Sequence, residues 1–180
     1  MPTTVTDGYP SKYENRLKLK NGSEVFFRPI LPSDEHLLVE LFNKMSPQSR
    51  YLRFLSHLQA LSEDLLYHFT HINYDSEFAL VAVVKEADRD TIIAVGRYAL
   101  DPHEDLADLA VAVRDDWQHL GLGKSLLANI IEIGKEHGIY HFASMMVPQN
   151  DIMKQTLRKL GYEVTYYLRD GVYQVEIVSY

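Results

Sequence analysis

The stretch Asp108-Leu-Ala-Val-Ala-Val113-Arg-Asp-Asp-Trp117-Gln118-His119-Leu120-Gly121-Leu122-Gly123-Lys124 decides how the chain is read. It opens with the period of a β-strand: Leu109, Val111 and Val113 share one face, and Asp108, Ala110 and Ala112 share the other. It then crosses a loop with two glycines and enters a helix expected from Leu122 to His137. There Leu122, Leu126, Ile130 and Ile133 form an apolar stripe, widened by Leu127 and Ile131. The first N–H groups of such a helix have no intrahelical partner, and its dipole adds partial positive charge. A strand, a glycine loop and a helix in this order therefore suit a phosphate. Gly121 and Gly123 let the backbone approach it without an intervening Cβ. Taken alone, Gly-x-Gly is equally an ordinary turn.

Two other phosphate-binding patterns fit poorly. Gly123-Lys124-Ser125 supplies the end of a Walker A loop, but the earlier glycine should stand five residues before Gly123, where this chain has Gln118. A dinucleotide fingerprint wants three spaced glycines, and only two are present.

Working outward, Asn21–Gly22 between two alternating runs, Arg16–Lys20 and Ser23–Phe27, predicts a hairpin with both turn residues at positive φ. Ser33 is expected to cap a helix running to about Met45, Pro47 to open a second near Ser49–His57, and Ser62 to start a third. Strands follow at Phe78–Val84 and Ile92–Leu100, joined by a charged turn at Lys85–Asp90. After the long helix, stopped at Gly138, come a strand at Tyr140–Val147 and a helix at Asp151–Leu160 that ends at Gly161. Tyr162–Leu168 and Val172–Val178 form a last hairpin around Asp170–Gly171. The expected fold class is mixed α/β, a largely antiparallel central sheet flanked by helices. Residues 1–12 are expected to be a flexible arm and 13–180 a single domain.

Composition narrows the function. The chain has 180 residues, 46% hydrophobic and 24% charged, with a net charge of −7 and no cysteine. Disulfides, thiolate metal sites and a cysteine nucleophile are excluded, and a cytoplasmic location is expected. No Lys/Arg cluster offers itself to nucleic acid. No apolar run is long enough for a bilayer, and Met1–Pro10 lacks the apolar core of a secretory signal.

The pattern around the glycines is more specific than the glycines. Gln118-x-x-Gly121-x-Gly123 after a strand resembles the pyrophosphate-binding motif of the GNAT N-acetyltransferases. Asn150, followed by a helix to Gly161–Tyr162, resembles the next element of that superfamily. Arg28-Pro-Ile-x-Pro-x-Asp34, Ser46-Pro-x-Ser-Arg50-Tyr-x-Arg53-Phe54 and Val113-Arg-Asp-Asp-Trp117-Gln118 resemble one branch, the Pat-type protein lysine acetyltransferases. The resemblance spans roughly Tyr13 to Val178. It implies acetyl-CoA as acyl donor and a protein lysine as acceptor; no metal is expected. It further implies that Val111, Ala112 and Val113 face the pantetheine arm and that Gln118, His119, Leu120, Gly121, Leu122, Gly123, Lys124 and Ser125 surround the pyrophosphate. Asn150 would hydrogen-bond the cofactor arm, with Met153 packing nearby.

A lysine amine has a pKa of about 10.4, so reaching its neutral form at pH 7 costs roughly 4–5 kcal/mol and calls for a base. Without a cysteine or a Gly-x-Ser-x-Gly elbow, direct attack is favoured over an acyl-enzyme. Asp108 is the candidate base, since it shares a strand face with two alanines that leave room for a ligand. Pat-type relatives usually carry Glu there, so a water relay, reduced activity or a solvated carboxylate are alternatives, with His103, Glu104 and Asp105 in reserve. The place of the tyrosine that serves many GNAT enzymes as general acid falls on Leu157. His68-x-x-His71 lacks further metal ligands. Trp117 reads as a packing residue. Arg50-Tyr-x-Arg53 reads as a helix face bracing the sheet, or else as part of the acceptor site. Asp101, Glu104, Asp105, Asp115 and Asp116 form an acidic neighbourhood suited to a cation or to plain solvation. The alternatives to a protein acetyltransferase are an enzyme acting on small amines or amino acids and a non-catalytic acyl-CoA sensor.

Overall fold

The Val-, Ile- and Ala-rich runs form one mixed sheet in the computed structural model, which describes residues 8–180. Its strands are β1 (Asn15–Lys18), β2 (Glu24–Pro29), β3 (Glu77–Glu86), β4 (Arg89–Leu100), β5 (Ala107–Val113), β6 (His141–Met146), β7 (Glu163–Arg169) and β8 (Val172–Val178). The spatial order is β1-β2-β3-β4-β5-β6-β8-β7. Every neighbouring pair is antiparallel except β5 with β6. The helices are α1 (Glu35–Lys44), α2 (Pro47–Phe54), α3 (Glu63–Thr70), α4 (Leu122–Glu136) and α5 (Asp151–Leu160). Of the arm expected over residues 1–12, residues 1–7 lie outside the described residues. No described helix is long and apolar enough to cross a membrane.

Strand β3 is apolar along nearly its whole length because both faces are buried. Phe78, Leu80 and Ala82 pack with the α4 stripe of Leu126, Leu127, Ile130 and Ile131. Ala79, Val81 and Val83 face the other way and pack with Leu37, Leu38 and Leu41 of α1 and Leu66 of α3. The period of two thus sorts one strand's residues into two cores.

Local chemistry corrects two expectations. Only Gly22, not Asn21, takes a positive φ, at 87°. The Gly22 N–H donates to Leu19 O (2.9 Å) and the Leu19 N–H to Ser23 O (2.8 Å), which makes a three-residue loop with glycine at the bulge. Ser33 does not cap α1. It lies in a 3-10 turn, Pro32–Asp34, and the residue preceding α1 is Asp34. The Asp34 carboxylate is engaged elsewhere: it accepts two hydrogen bonds from Arg28 (2.7 and 2.8 Å) and one from the Leu31 N–H (2.7 Å). The other caps follow the sequence. Ser46 Oγ accepts from the Ser49 N–H and Ser62 Oγ from the Leu65 N–H, while Pro47 occupies the first turn of α2. The charged turn between β3 and β4 narrows to Ala87–Asp88, both at positive φ, as in the Asp170–Gly171 turn.

The sheet parts at its single parallel junction. β5 and β6 pair only at Ala107 with Phe142 and Asp108 with Ala143. Beyond these, β5 continues against β4 as far as Val113, and β6 continues against β8 as far as Met146. The facing edges of β5 and β6 are left open.

Helix α4 packs closely enough that Gly134 is a steric requirement. A Cβ there would stand 2.6 Å from Cζ of the buried Phe142 ring. Helix propensity favours alanine by about 1 kcal/mol, but overpacking costs typically 1–3 kcal/mol. Gly134→Ala is therefore expected to lower the unfolding free energy on balance, read as a lower urea midpoint with an unchanged slope; a higher midpoint would refute the packing argument.

Candidate active site

The open edges of β5 and β6 form the walls of a cleft of about 390 Å³. Ala110, Val111, Ala112 and Val113 line one side, and Ser144, Met145 and Met146 the other. At the far end of β5 the chain makes a 3-10 turn, Asp115–Trp117, and then the glycine loop. Gly121 stands at the N-terminus of α4 with φ 86°, and His119 also takes a positive φ, 64°. Among the described residues, the backbone N–H groups from His119 to Lys124 have no hydrogen-bond acceptor. Such a run of donors at a helix N-terminus is a site for an anion.

Of the residues singled out in the sequence, Val111, Ala112, Val113, Gln118, His119, Gly121, Gly123, Lys124, Asn150 and Met153 line this cleft. Leu120, Leu122 and Ser125 are not in its wall: Leu122 is fully buried, Leu120 packs against the same core, and the Ser125 N–H donates to Gly121 O. The Asn150 side-chain oxygen caps α5 by accepting from the Met153 N–H (3.1 Å), which leaves its NH₂ to donate. Gln118 uses its NH₂ to bridge Val113 O (3.0 Å) and Ser49 Oγ (3.2 Å), tying the loop to β5 and α2.

Asp108 lies just beyond the cleft wall, exposed, on the same strand face as Ala110 and Ala112. Its carboxylate has no hydrogen-bond donor among the described residues. Partial burial raises its pKa above the ordinary carboxylate value, and the Asp101 charge adds to the rise. His103, Glu104 and Asp105 are exposed in the preceding loop. Leu157 is buried, and no tyrosine among the described residues lines the cleft. His68 lies 3.7 Å from Glu77, whereas His71 stacks on Tyr67. No group of three or more His, Asp or Glu among the described residues could hold a metal.

Two carboxylates of the acidic neighbourhood prove to be structural. Asp115 accepts from the Ser46 N–H (2.9 Å), Ser46 Oγ–H (2.7 Å) and Ser49 Oγ–H (2.9 Å), pinning the loop to the start of α2. Burial alone would raise its pKa, but these hydrogen bonds outweigh burial and hold it below the ordinary value. Asp116 and Glu86 clamp the buried Arg114 from two sides, at 2.7 and 2.8 Å. Arg50 braces α2 by donating to Phe42 O (2.9 Å) and Asn43 O (3.1 Å) at the end of α1.

Three lysines line the cleft, and only Lys124 was legible in the sequence. Lys20, from the first hairpin, lies over the loop, its Cε 3.6 Å from where a Cβ on Gly121 would stand. Lys159 comes from α5. Lys20 sits in no motif and Lys159 was not singled out within its helix, and both reach the cleft through the tertiary fold.

Residues 38–162 match the Acetyltransferase (GNAT) family. The chain belongs to this family. It is an acyltransferase of that class, similar to Acetyltransferase PA5475 of Pseudomonas aeruginosa, with 30% identity over 144 residues covering 80% of this chain and 77% of that protein. It is 26% identical over 146 residues to Acetyltransferase Pat of Mycolicibacterium smegmatis, covering 81% of this chain and 43% of that protein. The GNAT domain of S. lividans PAT superposes with a TM-score of 0.85 at 29% identity, over 93% of this chain and 98% of that domain.

Asp115→Ala tests the loop brace. It should cost about 1 kcal/mol of stability at pH 7, the typical worth of lost hydrogen bonds. A carboxylate whose folded pKa is depressed contributes its stability above the unfolded pKa and loses it as pH falls through the folded value. The stabilities of wild type and variant, followed by urea unfolding, should therefore converge below about pH 4. A difference independent of pH would assign the loss to packing instead.

Proposed function

We propose that this acyltransferase binds acetyl-CoA in the cleft and passes the acetyl group to an amine, a protein lysine, with Asp108 as general base. The observation that carries this reading is the parting of β5 and β6 directly beside the unpaired N–H groups of the glycine loop. An extended arm bearing amides finds unpaired strand edges to hydrogen-bond, and its phosphates find the loop donors together with Lys20 and Lys124.

When bound, acetyl-CoA supplies an acyl group already activated as a thioester. The acceptor amine must lose a proton for its nitrogen to attack the carbonyl carbon. Asp108 takes that proton directly or through one water, the longer route suiting its short side chain. Its raised pKa narrows the gap to the amine. As the C–N bond forms, charge gathers on the thioester oxygen, where unpaired backbone N–H groups along β5 and β6 are the available donors. Breaking the C–S bond releases a thiolate, whose reference pKa of about 8.5 lets it leave without a dedicated acid. A buried leucine at position 157 is compatible with that route. The sequence resemblance to Pat-type protein lysine acetyltransferases supports a lysine acceptor, and the half-buried Asp101 with the exposed Glu104 and Asp105 favours a cationic side chain approaching Asp108.

The test is free-thiol release from acetyl-CoA in the presence of protein and small-amine acceptors. Acceptor-dependent release is expected with a lysine-bearing protein; tight acetyl-CoA binding with no release would overturn the enzymatic reading and leave a sensor. Asp108→Asn should lower kcat by about 10²–10⁴ while leaving acetyl-CoA affinity nearly unchanged. Because the carboxylate is the active form, wild-type kcat/KM should fall as pH drops through the raised Asp108 pKa, and the variant should lose this acid limb. The raised pKa also means that ionised Asp108 is disfavoured by folding, so the variant should melt slightly higher at neutral pH. A full-rate variant would sink the assignment.

A further inference from the structure

We infer that Arg53 and Arg97 form a carboxylate-binding subsite at the inner end of the cleft, and that the enzyme accepts acyl groups ending in a carboxylate, the monothioesters of dicarboxylic acids. The inference rests on the acyl-transfer reading above and names the acyl class for that same site.

The strand register places Arg97 of β4 opposite Ala110 of β5, the cleft residue farthest from the glycine loop. Directly opposed residues share a face, so Arg97 lies on the face that carries Asp108, Ala110 and Ala112. A small cavity of about 40 Å³ adjoins the cleft there, and Met45, Arg53 and Ala112 line both. It has room for more than one water-sized group. Its walls are apolar except for Arg53 and Arg97.

These guanidiniums are poorly compensated. Arg53 has no carboxylate within ion-pair distance and no hydrogen-bond acceptor among the described residues, unlike Arg50 one turn earlier. Arg97 has only Glu77 at 3.7 Å, an oxygen that His68 also approaches. Both guanidiniums pack on Phe69, at 5.8 and 4.6 Å from the ring centre. A ring face repays only part of what a cation loses on leaving water. Burial, with the Arg97 charge added, pulls the Arg53 pKa down to about 10. A carboxylate between them would relieve both the desolvation and the mutual repulsion, and guanidinium suits it geometrically.

The charge of the surroundings selects the donor as its source. An acceptor passes Asp101, Glu104, Asp105 and Asp108, which repel an anionic substrate. The donor enters along the lysine-lined end, and its acyl group reaches the Ala110 level. The transfer step is unchanged: the amine nitrogen bonds the thioester carbonyl, the C–S bond breaks, CoA leaves as thiolate, the amine proton goes to Asp108 or water, and the distal carboxylate stays intact.

Calorimetry with acetyl-CoA and succinyl-CoA on the wild-type chain, Arg53→Gln and Arg97→Gln tests this. The ratio of the two affinities within one protein cancels general damage to the fold. Succinyl-CoA should bind the wild type roughly tenfold more tightly, the worth of a charge-assisted hydrogen bond, and each variant should lose that advantage. Arg97→Lys should keep part of it. No preference in the wild type, or one that survives both substitutions, would overturn the inference. A carboxylate preference seen only for the acceptor, with acetyl-CoA saturating and glutamate titrated as amine, would overturn the donor assignment. If neither thioester binds, the acyl-CoA reading fails by itself. The subsite is then judged by sodium succinate, which should raise the melting temperature of the wild type above a sodium chloride control of equal ionic strength but not that of Arg53→Gln; no such rise would overturn it.

Discussion

The two-residue parallel contact between β5 and β6 is the constraint on which the site depends. Parallel neighbours cannot be joined by a hairpin, so the chain must leave β5, cross one face of the sheet as α4 and return as β6. That crossover puts the N-terminus of α4 beside the end of β5. The strands are meanwhile drawn apart by their other partners, β4 and β8. The open edges and the anion-ready helix start are thus two consequences of one connection. Every other neighbouring pair in the sheet is antiparallel.

A loop with six unpaired N–H groups and a non-glycine residue at positive φ needs outside support. It receives this from its flanks rather than from its own sequence. Asp115 draws in the start of α2, Gln118 reaches back to β5, and Arg114 is gripped by Asp116 and the distant Glu86. Polar side chains thereby hold the cleft in shape, Asp115 and Arg114 from outside its wall and Gln118 from within it, and the loop N–H groups stay unpaired. This division explains why an acidic cluster that looked suited to steering substrate is only partly available for that purpose.

How much was legible in the sequence follows from the range of each interaction. Helix α4, the Asp170–Gly171 hairpin, the Ser46 and Ser62 caps and the glycine turn are written in local periodicity and turn chemistry, and they were readable as such. The cleft-lining role of Val111–Val113 and Asn150 came through family resemblance, because no local pattern shows two strands parting. Lys20 and Lys159 were invisible, since each arrives from an element whose position depends on sheet order. Ser33 misled because a capping residue and a neighbouring aspartate compete, and Asp34 is claimed by Arg28, which also settles the entry to α1. Arg50 and Arg53 look alike in sequence, yet one meets backbone carbonyls and the other a cavity, a difference made by a single helical turn.

The open edges of β5 and β6 have a thermodynamic consequence of their own. Backbone donors and acceptors left without ladder partners make this the part of the sheet with most to gain from an occupant. A ligand that fills the cleft binds the folded chain and not the unfolded one, and it deepens the native well by an amount that grows with the logarithm of its concentration. The lifetime of the folded protein becomes tied to the supply of its own donor substrate. Scarcity of that substrate would expose the chain to unfolding and proteolysis, and abundance would preserve it.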